Sequence, residues 1–534
     1  MAYLPVLGAG YIWDDDHHLT ANPTLQAQGG LAQIWFDVHA LPQYYPLVHT
    51  TFWIETRLWG LHPLGFHLVN VLLHGLGAVL LWRVLRRLEV PGAWVAAAIF
   101  ALHPIQVESV AWITERKNVL SGVFYFAALD AFLRWYGVGP ESGPRRRTAL
   151  IAGYAFFLAA MLSKTVAATL PVILLLLLWW KRGRLTRHDL LPTVPLCVVG
   201  AALGLTTAWL EKHHVGAEGA EWSLTLLERV LVAGRALWFY AGKLAWPATL
   251  TFIYPRWDLR TWGIVFPLAV VGVVLALWTW RVRLGRGPVT AVLCFAAALG
   301  PALGFLDVYP MRYSFVADHF QYLAGAALLS LAVAASAPAW RRFPQASRVA
   351  AVLVLVLLGA LTSARARVYR DEETLWRDTL AKNPGAWMAH NNLGQLLVRR
   401  GELQEGMTHY LETLRLKPDH VNARSNLAVA LATQGRFSEA ERVLRDAIAL
   451  LPDLAELHYN LGTVLASTGR FDDARQEYAE AVRLVPGYGK ARLNLVRVLV
   501  ALGRFPEARA QLEEEVRLHP DNATARQMLR AWGP

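Results

Sequence analysis

Residues 11–24, "YIWDDDHHLTANPT", place three consecutive carboxylates and two imidazoles (Asp14, Asp15, Asp16, His17 and His18) directly after an aromatic pair. Three chemistries suit that spacing. One carboxylate can serve as a general base. The cluster can supply half of a divalent-cation site, because hard cations take oxygen ligands. It can also be a solvated turn whose aspartates cap a short helix. Further along, His103 and Glu108 in "ALHPIQVES" could join Asp15 around Mg2+ or Mn2+, and Asp318 and His319 in "SFVADHFQYL" are candidates for substrate contact. Cations suited to a phosphate recur in the same kind of segment: Arg116, Lys117, Lys164, Lys243, Arg256 and Arg312. Of these, Arg116, Lys164 and Arg312 are chosen as phosphate ligands, Lys164 because "MLSKTVAATLP" sets it in a tight turn between apolar helices.

The elements that must position these groups are of two kinds. Residues 65–364 carry long apolar runs such as "TVAATLPVILLLLLWW", whereas residues 366–534 are charged and periodic. A chain of 534 residues with mean hydropathy +0.31 accommodates a membrane domain followed by a water-soluble one. A bilayer core of ~30 Å needs about 20 helical residues. Ten spans are expected, at 65–82, 92–103, 118–135, 149–163, 165–180, 190–210, 261–280, 288–306, 320–338 and 349–364. Residues 229–246 are apolar but carry Arg229, Arg235 and Lys243, and read as interfacial or re-entrant.

Every second loop is basic: Arg83, Arg86 and Arg87; Arg134 and Arg145 to Arg147; Lys181, Arg182, Arg184 and Arg187; Arg281, Arg283 and Arg286; Arg341, Arg342 and Arg348. Positive loops stay in the cytoplasm. Residues 1–64, 103–118, 163–165, 211–260, 307–319 and the chain after 365 are therefore expected outside. The net charge of +12 is thus topological, and a nucleic-acid partner is not expected. Residues 33–64 mix Trp, Tyr and His at interfacial density, as in a pair of aromatic helices lying on the bilayer over something lipidic. "MAYLPVLGAG" reads as the tail of a span that begins upstream, which would make eleven, and it has no basic region of the kind that opens a signal peptide. The two cysteines, Cys197 and Cys294, both lie in apolar segments and offer no disulfide framework. Eight lysines against 44 arginines suit a GC-rich bacterial genome.

Prolines at 384, 418, 452, 486 and 520 mark an unbroken period of 34, kept by Gly401, Gly435, Gly469 and Gly503 and by Asn392, Asn426, Asn460 and Asn494. That is the tetratricopeptide period. Four repeats are expected over 387–522, a preceding half-repeat and connecting helix over 366–386, and a capping helix over 523–534. Tyr410, Phe437, Phe471, Tyr478 and Phe505 read as core, since stacked repeats bury one continuous core. The concave face would hold extended polypeptide.

"YIWDDDHHL", "YYPLVHTTFWIETRLWGLHPLGFHLVNVLLHGLGAVLLWRVL", "ALHPIQVESVAWITERKNVLSGVFYF", "LSKTVAATLPVILLL" and "ADHFQYLAGAAL" together resemble the transmembrane and tetratricopeptide-repeat family of O-mannosyltransferases and its bacterial relatives. Aspartates in a first outward loop resemble the C-type (GT-C) glycosyltransferase architecture. The resemblance implies a sugar donor on a polyprenyl phosphate, a protein hydroxyl acceptor held by the repeat groove, and Asp14 as base with Asp15 as its orienting neighbour. It implies a multi-pass protein of the bacterial inner membrane, with the acidic loop and repeats extracytoplasmic. No nucleotide-binding motif is needed or found, and direct displacement would invert the anomeric centre. Other readings are a catalytically silent scaffold for envelope assembly and a glycan ligase or polymerase using the same class of donor. A transporter fits less well, because the charges gather at the surface and not at the midplane.

Overall fold

The computed structural model describes residues 1–140, 147–214, 216, 219, 222–259 and 263–531. Arg145 and Arg146 of one basic loop, the first two residues of the seventh expected span and the end of the expected capping helix lie outside this set. Among the described residues the chain is all-helical. It divides into two compact units, Met1–Asn383 and Pro384–Pro534.

Among the described residues of the first unit, four helices are long and apolar enough to cross a membrane: Pro63–Arg87, Thr165–Arg182, Arg187–His213 and Pro344–Tyr369. A fifth crossing results if Ala93–Leu102 and Pro104–Ala111, bent by 51° at their junction, form one broken span. The ten expected spans are therefore not recovered by length and composition. Arg147–Ser163, Val265–Thr279 and Gly287–Ala302 are apolar but short, and Gly325–Ala335 has only 11 residues. Arg116–Trp135 has 20 residues but carries Arg116, Lys117, Asp130 and Arg134. Most of its side chains are buried, packed chiefly against Arg147–Ser163 and Pro63–Arg87. A helix enclosed by protein can carry charge that a lipid-facing one cannot. Leu68, Leu72, Leu76, Val198, Leu205, Val352 and Val356 are exposed on the apolar helices, as a lipid-facing surface requires.

Residues 226–245 form a 20-residue helix, Leu226–Ala245, opened by a Thr225–Glu228 capping box. The aromatic stretch gives the helices Gly30–Phe36 and Pro46–Trp59, as its pattern suggests. The helix Glu372–Lys382, capped by Asp371, closes the first unit.

The second unit is four helix pairs, from Trp387–Arg399 with Leu403–Leu416 to Gly489–Ala501 with Phe505–Leu518, then Ala523–Ala531. Ala440, Ala474, Ala508, Tyr410 and Tyr478 share one buried core. Glycine is required at 394 and 462, where a Cβ would meet the Tyr410 and Tyr478 rings at 2.9 Å. Phe505, the first residue of the helix Phe505–Leu518, departs from the expected pattern and is 57% exposed, whereas Phe437 and Phe471 in the equivalent positions are partly buried.

Candidate functional site

The acidic stretch forms a single wide helical turn, Asp16–Thr20, preceded by Trp13 at φ 47°. A bulky residue in the left-handed region is strained and must be held by its surroundings. Here the Trp13 ring stacks on Trp112 with centroids 5.3 Å apart and meets Phe252, Tyr313 and Trp376 edge-on. This turn separates the carboxylates by environment. Asp16 and His17 face solvent, Asp15 is fully buried, and Asp14 keeps 28% of its side chain exposed.

Asp15 is held by three donors. Its Oδ2 accepts the Ile12 N–H at 2.9 Å, and its Oδ1 accepts the Thr114 N–H at 2.9 Å and hydroxyl at 2.5 Å. Burial and the neighbouring Asp14 charge push its carboxyl up to about 7 despite those bonds. Asp14 Oδ1 accepts the Trp112 indole N–H at 3.1 Å, and the Thr114 side chain also favours its charged form. Removal of water around it raises its carboxyl to about 6, against the opposing pull of Lys117.

Asp14 Oδ2 lies 3.7 Å from His18 Nε2. His18 Nδ1 is 3.3 Å from His49 Nε2, and His49 Nδ1 is 3.2 Å from the Tyr45 carbonyl. A carbonyl only accepts, so His49 carries its proton on Nδ1 and accepts from His18 Nδ1. The lone pair of His18 Nε2 then faces Asp14. Burial keeps both imidazoles neutral, His18 well below its ordinary range and His49 down to about 4.

Beside the aspartates lies a cluster built on Glu115, which is 1% exposed. Its carboxylate is 2.9 Å from Lys117 Nζ and 3.3 Å from Lys164 Nζ. Although burial alone would raise it, the neighbouring His319 ring and the Lys117 and Lys164 ammonium groups hold it well below the usual range. Lys117 is pushed up because the Glu115 and Asp14 charges outweigh its own burial. Lys164 is lowered to about 8, since burial outweighs Glu115 and Lys117 repels it. Lys117 also donates to Gln43, whose amide donates to Glu211. Both lysine side chains are mostly buried, 11% and 16% exposed.

Arg116 does not take the expected part. It is fully buried, and its five N–H donors go to Asn70, Thr51, both Glu55 oxygens and the Phe66 carbonyl. A guanidinium has five donors and no more, so Arg116 ties helices together. The next residue, Lys117, faces the acidic turn. Arg312 donates to the Tyr309 hydroxyl at 3.0 Å and lies over the Trp222, Tyr309 and Tyr313 rings. Tyr313 stands between it and Trp13.

His103 is likewise structural. Its Nδ1 accepts the Ile105 N–H and its Nε2 donates to the Leu244 carbonyl. It does not converge with Glu108 and Asp15, and among the described residues no three His, Cys, Asp or Glu side chains are grouped as metal ligands. Glu108 and His319 do come together. His319 Nδ1 contacts one Glu108 oxygen, and the Tyr369 hydroxyl donates to the other at 3.1 Å. Asp318 accepts from Tyr254 at 2.7 Å and is raised to about 7 by burial and the Glu108 charge. The His319 ring meets Trp112 edge-on at 5.9 Å, so this second acidic group lies one ring away from Asp14.

Trp112, Thr114, Glu115 and His49 escape a reading of the sequence by motif. The only local signal is "WITERKN", where one glutamate sits among cations just after a tryptophan.

Tetratricopeptide-repeat family models match residues 386–453, 425–489 and 465–533. Protein O-mannosyl-transferase F38B6.6 of Caenorhabditis elegans is 22% identical over 76% of this chain and 60% of its own length. Protein O-mannosyl-transferase TMTC4 of Mus musculus is 26% identical over 75% of this chain and 63% of its own. Drosophila melanogaster Tmtc2, also a protein O-mannosyl-transferase, is 31% identical over 48% of this chain and 28% of its own. The chain thus spans about three fifths or less of the relatives it matches. Among solved structures, YrrB, a TPR protein with an unusual peptide-binding site, is 20% identical over 30% of this chain and 81% of its own, with a TM-score of 0.27. The relatives this chain resembles are the transmembrane and tetratricopeptide-repeat protein O-mannosyl-transferases, and its residues 386–533 are tetratricopeptide repeats.

Proposed function

We propose that this protein is an integral-membrane glycosyltransferase that moves a sugar, mannose or another hexose, from a polyprenyl-phosphate donor to Ser/Thr hydroxyls of protein. The observation that carries this reading is the pairing of a partly exposed carboxylate of raised pKa, Asp14, with two ammonium groups gathered by Glu115. Asp14 takes the proton of the acceptor hydroxyl as that oxygen attacks the anomeric carbon. The carbon–oxygen bond to phosphate breaks on the opposite face, which inverts the centre. Lys117 and Lys164 offset the charge of the departing phosphate. Asp15, held by Thr114 and Ile12, fixes the backbone of the turn that aims Asp14. His18, kept neutral by burial, stands 3.7 Å from Asp14 Oδ2 and places no positive charge there that would lower the base.

In this reading the remaining apolar helices join the four or five long ones to make ten spans. The acidic turn and the repeats face out of a bacterial inner membrane, and the repeat groove presents the acceptor. Asp318, His319 and Glu108 line the substrate path, and Arg312 lies at its rim.

Mass spectrometry of envelope proteins from a strain lacking this protein tests the proposal, beside strains complemented with wild type or Asp14→Asn. Ser/Thr-linked hexose restored by wild type alone is the expected result. Glycoproteins that are unchanged by the deletion would overturn it.

A further inference from the structure

A second charged site lies at the other end of the Arg116–Trp135 helix. Its last turns run beside the last turns of Pro63–Arg87, and there three guanidinium groups share one carboxylate. Asp130, 5% exposed, has Oδ1 2.8 Å from Arg87 Nε, and Oδ2 2.7 Å from Arg134 Nη2 and 3.4 Å from Arg83 Nη2. Among the described residues one negative charge therefore meets three positive ones; Arg87 also reaches the Val138 carbonyl at 3.5 Å, and each guanidinium has donors beyond these contacts. A cavity of about 230 Å³ opens on this group, lined by Trp82, Arg83, Arg86, Arg87, Arg134 and Pro140.

We propose that this cavity binds a phosphate-bearing anion of the kind carried by an anionic lipid headgroup. Arginines held this close around a single carboxylate repel one another unless a counter-ion joins them. A tetrahedral oxyanion offers several oxygens to several guanidinium forks at once, which allows the paired N–H contacts that a single-atom halide does not.

The position agrees with a headgroup. Lys117 and Arg134 stand 17 residues apart on one helix, about 26 Å by helical rise and close to the ~30 Å of a hydrocarbon core. If Lys117 meets one membrane face, Arg134 meets the other. Trp82, with Arg86 5.6 Å above its ring, is the kind of side chain that marks a headgroup level. Basic pockets between helices at that level recognise anionic lipids. The site is independent of Asp14 and of any sugar transfer.

Native mass spectrometry of the purified full chain in uncharged detergent tests this, with dioleoyl phosphatidylglycerol, dioleoyl phosphatidylcholine and inorganic phosphate as separate probes. Wild type should retain phosphatidylglycerol over phosphatidylcholine on the order of tenfold. The Arg83→Gln/Arg134→Gln double variant should lose that preference, and both side chains, 45% exposed, can be exchanged without opening the core. Displacement of the lipid by millimolar phosphate would assign the site to the phosphate alone. Retention would assign it to the lipid. Asp130→Asn supplies a test of opposite sign: with the competing carboxylate gone, anion retention should rise several-fold in the folded protein. Equal retention of both lipids with no phosphate binding would overturn the proposal. So would a preference untouched by the double variant, or weaker retention in folded Asp130→Asn.

Discussion

The two units handle charge in opposite ways, the buried Arg492–Glu515 pair of the repeats excepted. In the repeats, Arg415–Glu412, Arg436–Glu439, Arg470–Asp473, Arg483–Glu480, Arg504–Glu507 and Arg517–Glu514 are each three residues apart and exposed. In the first unit, Arg87–Asp130, Lys164–Glu115, Arg116–Glu55 and His319–Glu108 join positions 43, 49, 61 and 211 residues apart, and their carboxylates are nearly or wholly buried. Exposed local pairs form wherever a helix brings opposite charges together, and they contribute little. A buried pair loses water that the attraction only partly replaces, so its persistence marks a place where geometry matters more than stability. The difference separates a surface that tolerates change from a centre that does not.

Removing the base should have the largest effect. Asp14→Asn keeps an acceptor for Trp112, and sugar transfer should fall about 10²–10⁴-fold with an unchanged melting temperature; initial rates with the lipid-linked donor measure it. Next comes Arg116→Met, which strands Glu55 without its cation and should cost about 3–5 kcal/mol of stability. Thermal unfolding in detergent reads this, while donor KM in the folded fraction stays put. A shifted KM at full stability would return Arg116 to the phosphate site.

A pH profile sharpens the comparison further. Transfer requires ionised Asp14, so it should rise with pH through the range set by the Asp14 and Asp15 pair, about 6 to about 7. It should fall above about 8, where Lys164 loses its proton. Glu115→Gln removes the carboxylate that raises Lys164, so the alkaline limb should move to lower pH. An unmoved limb would exclude Lys164 from the reaction.

In the repeats the effects are packing effects. Gly462→Ala brings a Cβ to 2.9 Å from the Tyr478 ring and should cost about 1–3 kcal/mol, read by unfolding of the full chain. Smallest of all, Arg436→Ala should leave the melting temperature unchanged within error. A clear drop there would break the contrast between the units.

Legibility in the sequence follows the same line. The presence of the repeats was readable because proline, glycine and asparagine recur every 34 residues, and each repeat packs only on its neighbours. Phe505 was misread because residue type alone does not set exposure: Phe437 and Phe471 in the equivalent positions are partly buried. Arg116 was misread because its acceptors, Thr51, Glu55, Phe66 and Asn70, lie 46 to 65 residues away in other helices. Lys164 stood out through its turn, but the glutamate that holds it is 49 residues earlier.

The sequence by itself determined the helical class, the array of repeats and the presence of a dense acidic turn, because these depend on local periodicity and composition. Which aspartate stays accessible, which cation of Arg116 and Lys117 faces it, and where Glu108 meets His319 were decided only in the tertiary structure. Desolvation and hydrogen-bond completion are set by neighbours distant in the chain, and no local pattern encodes them.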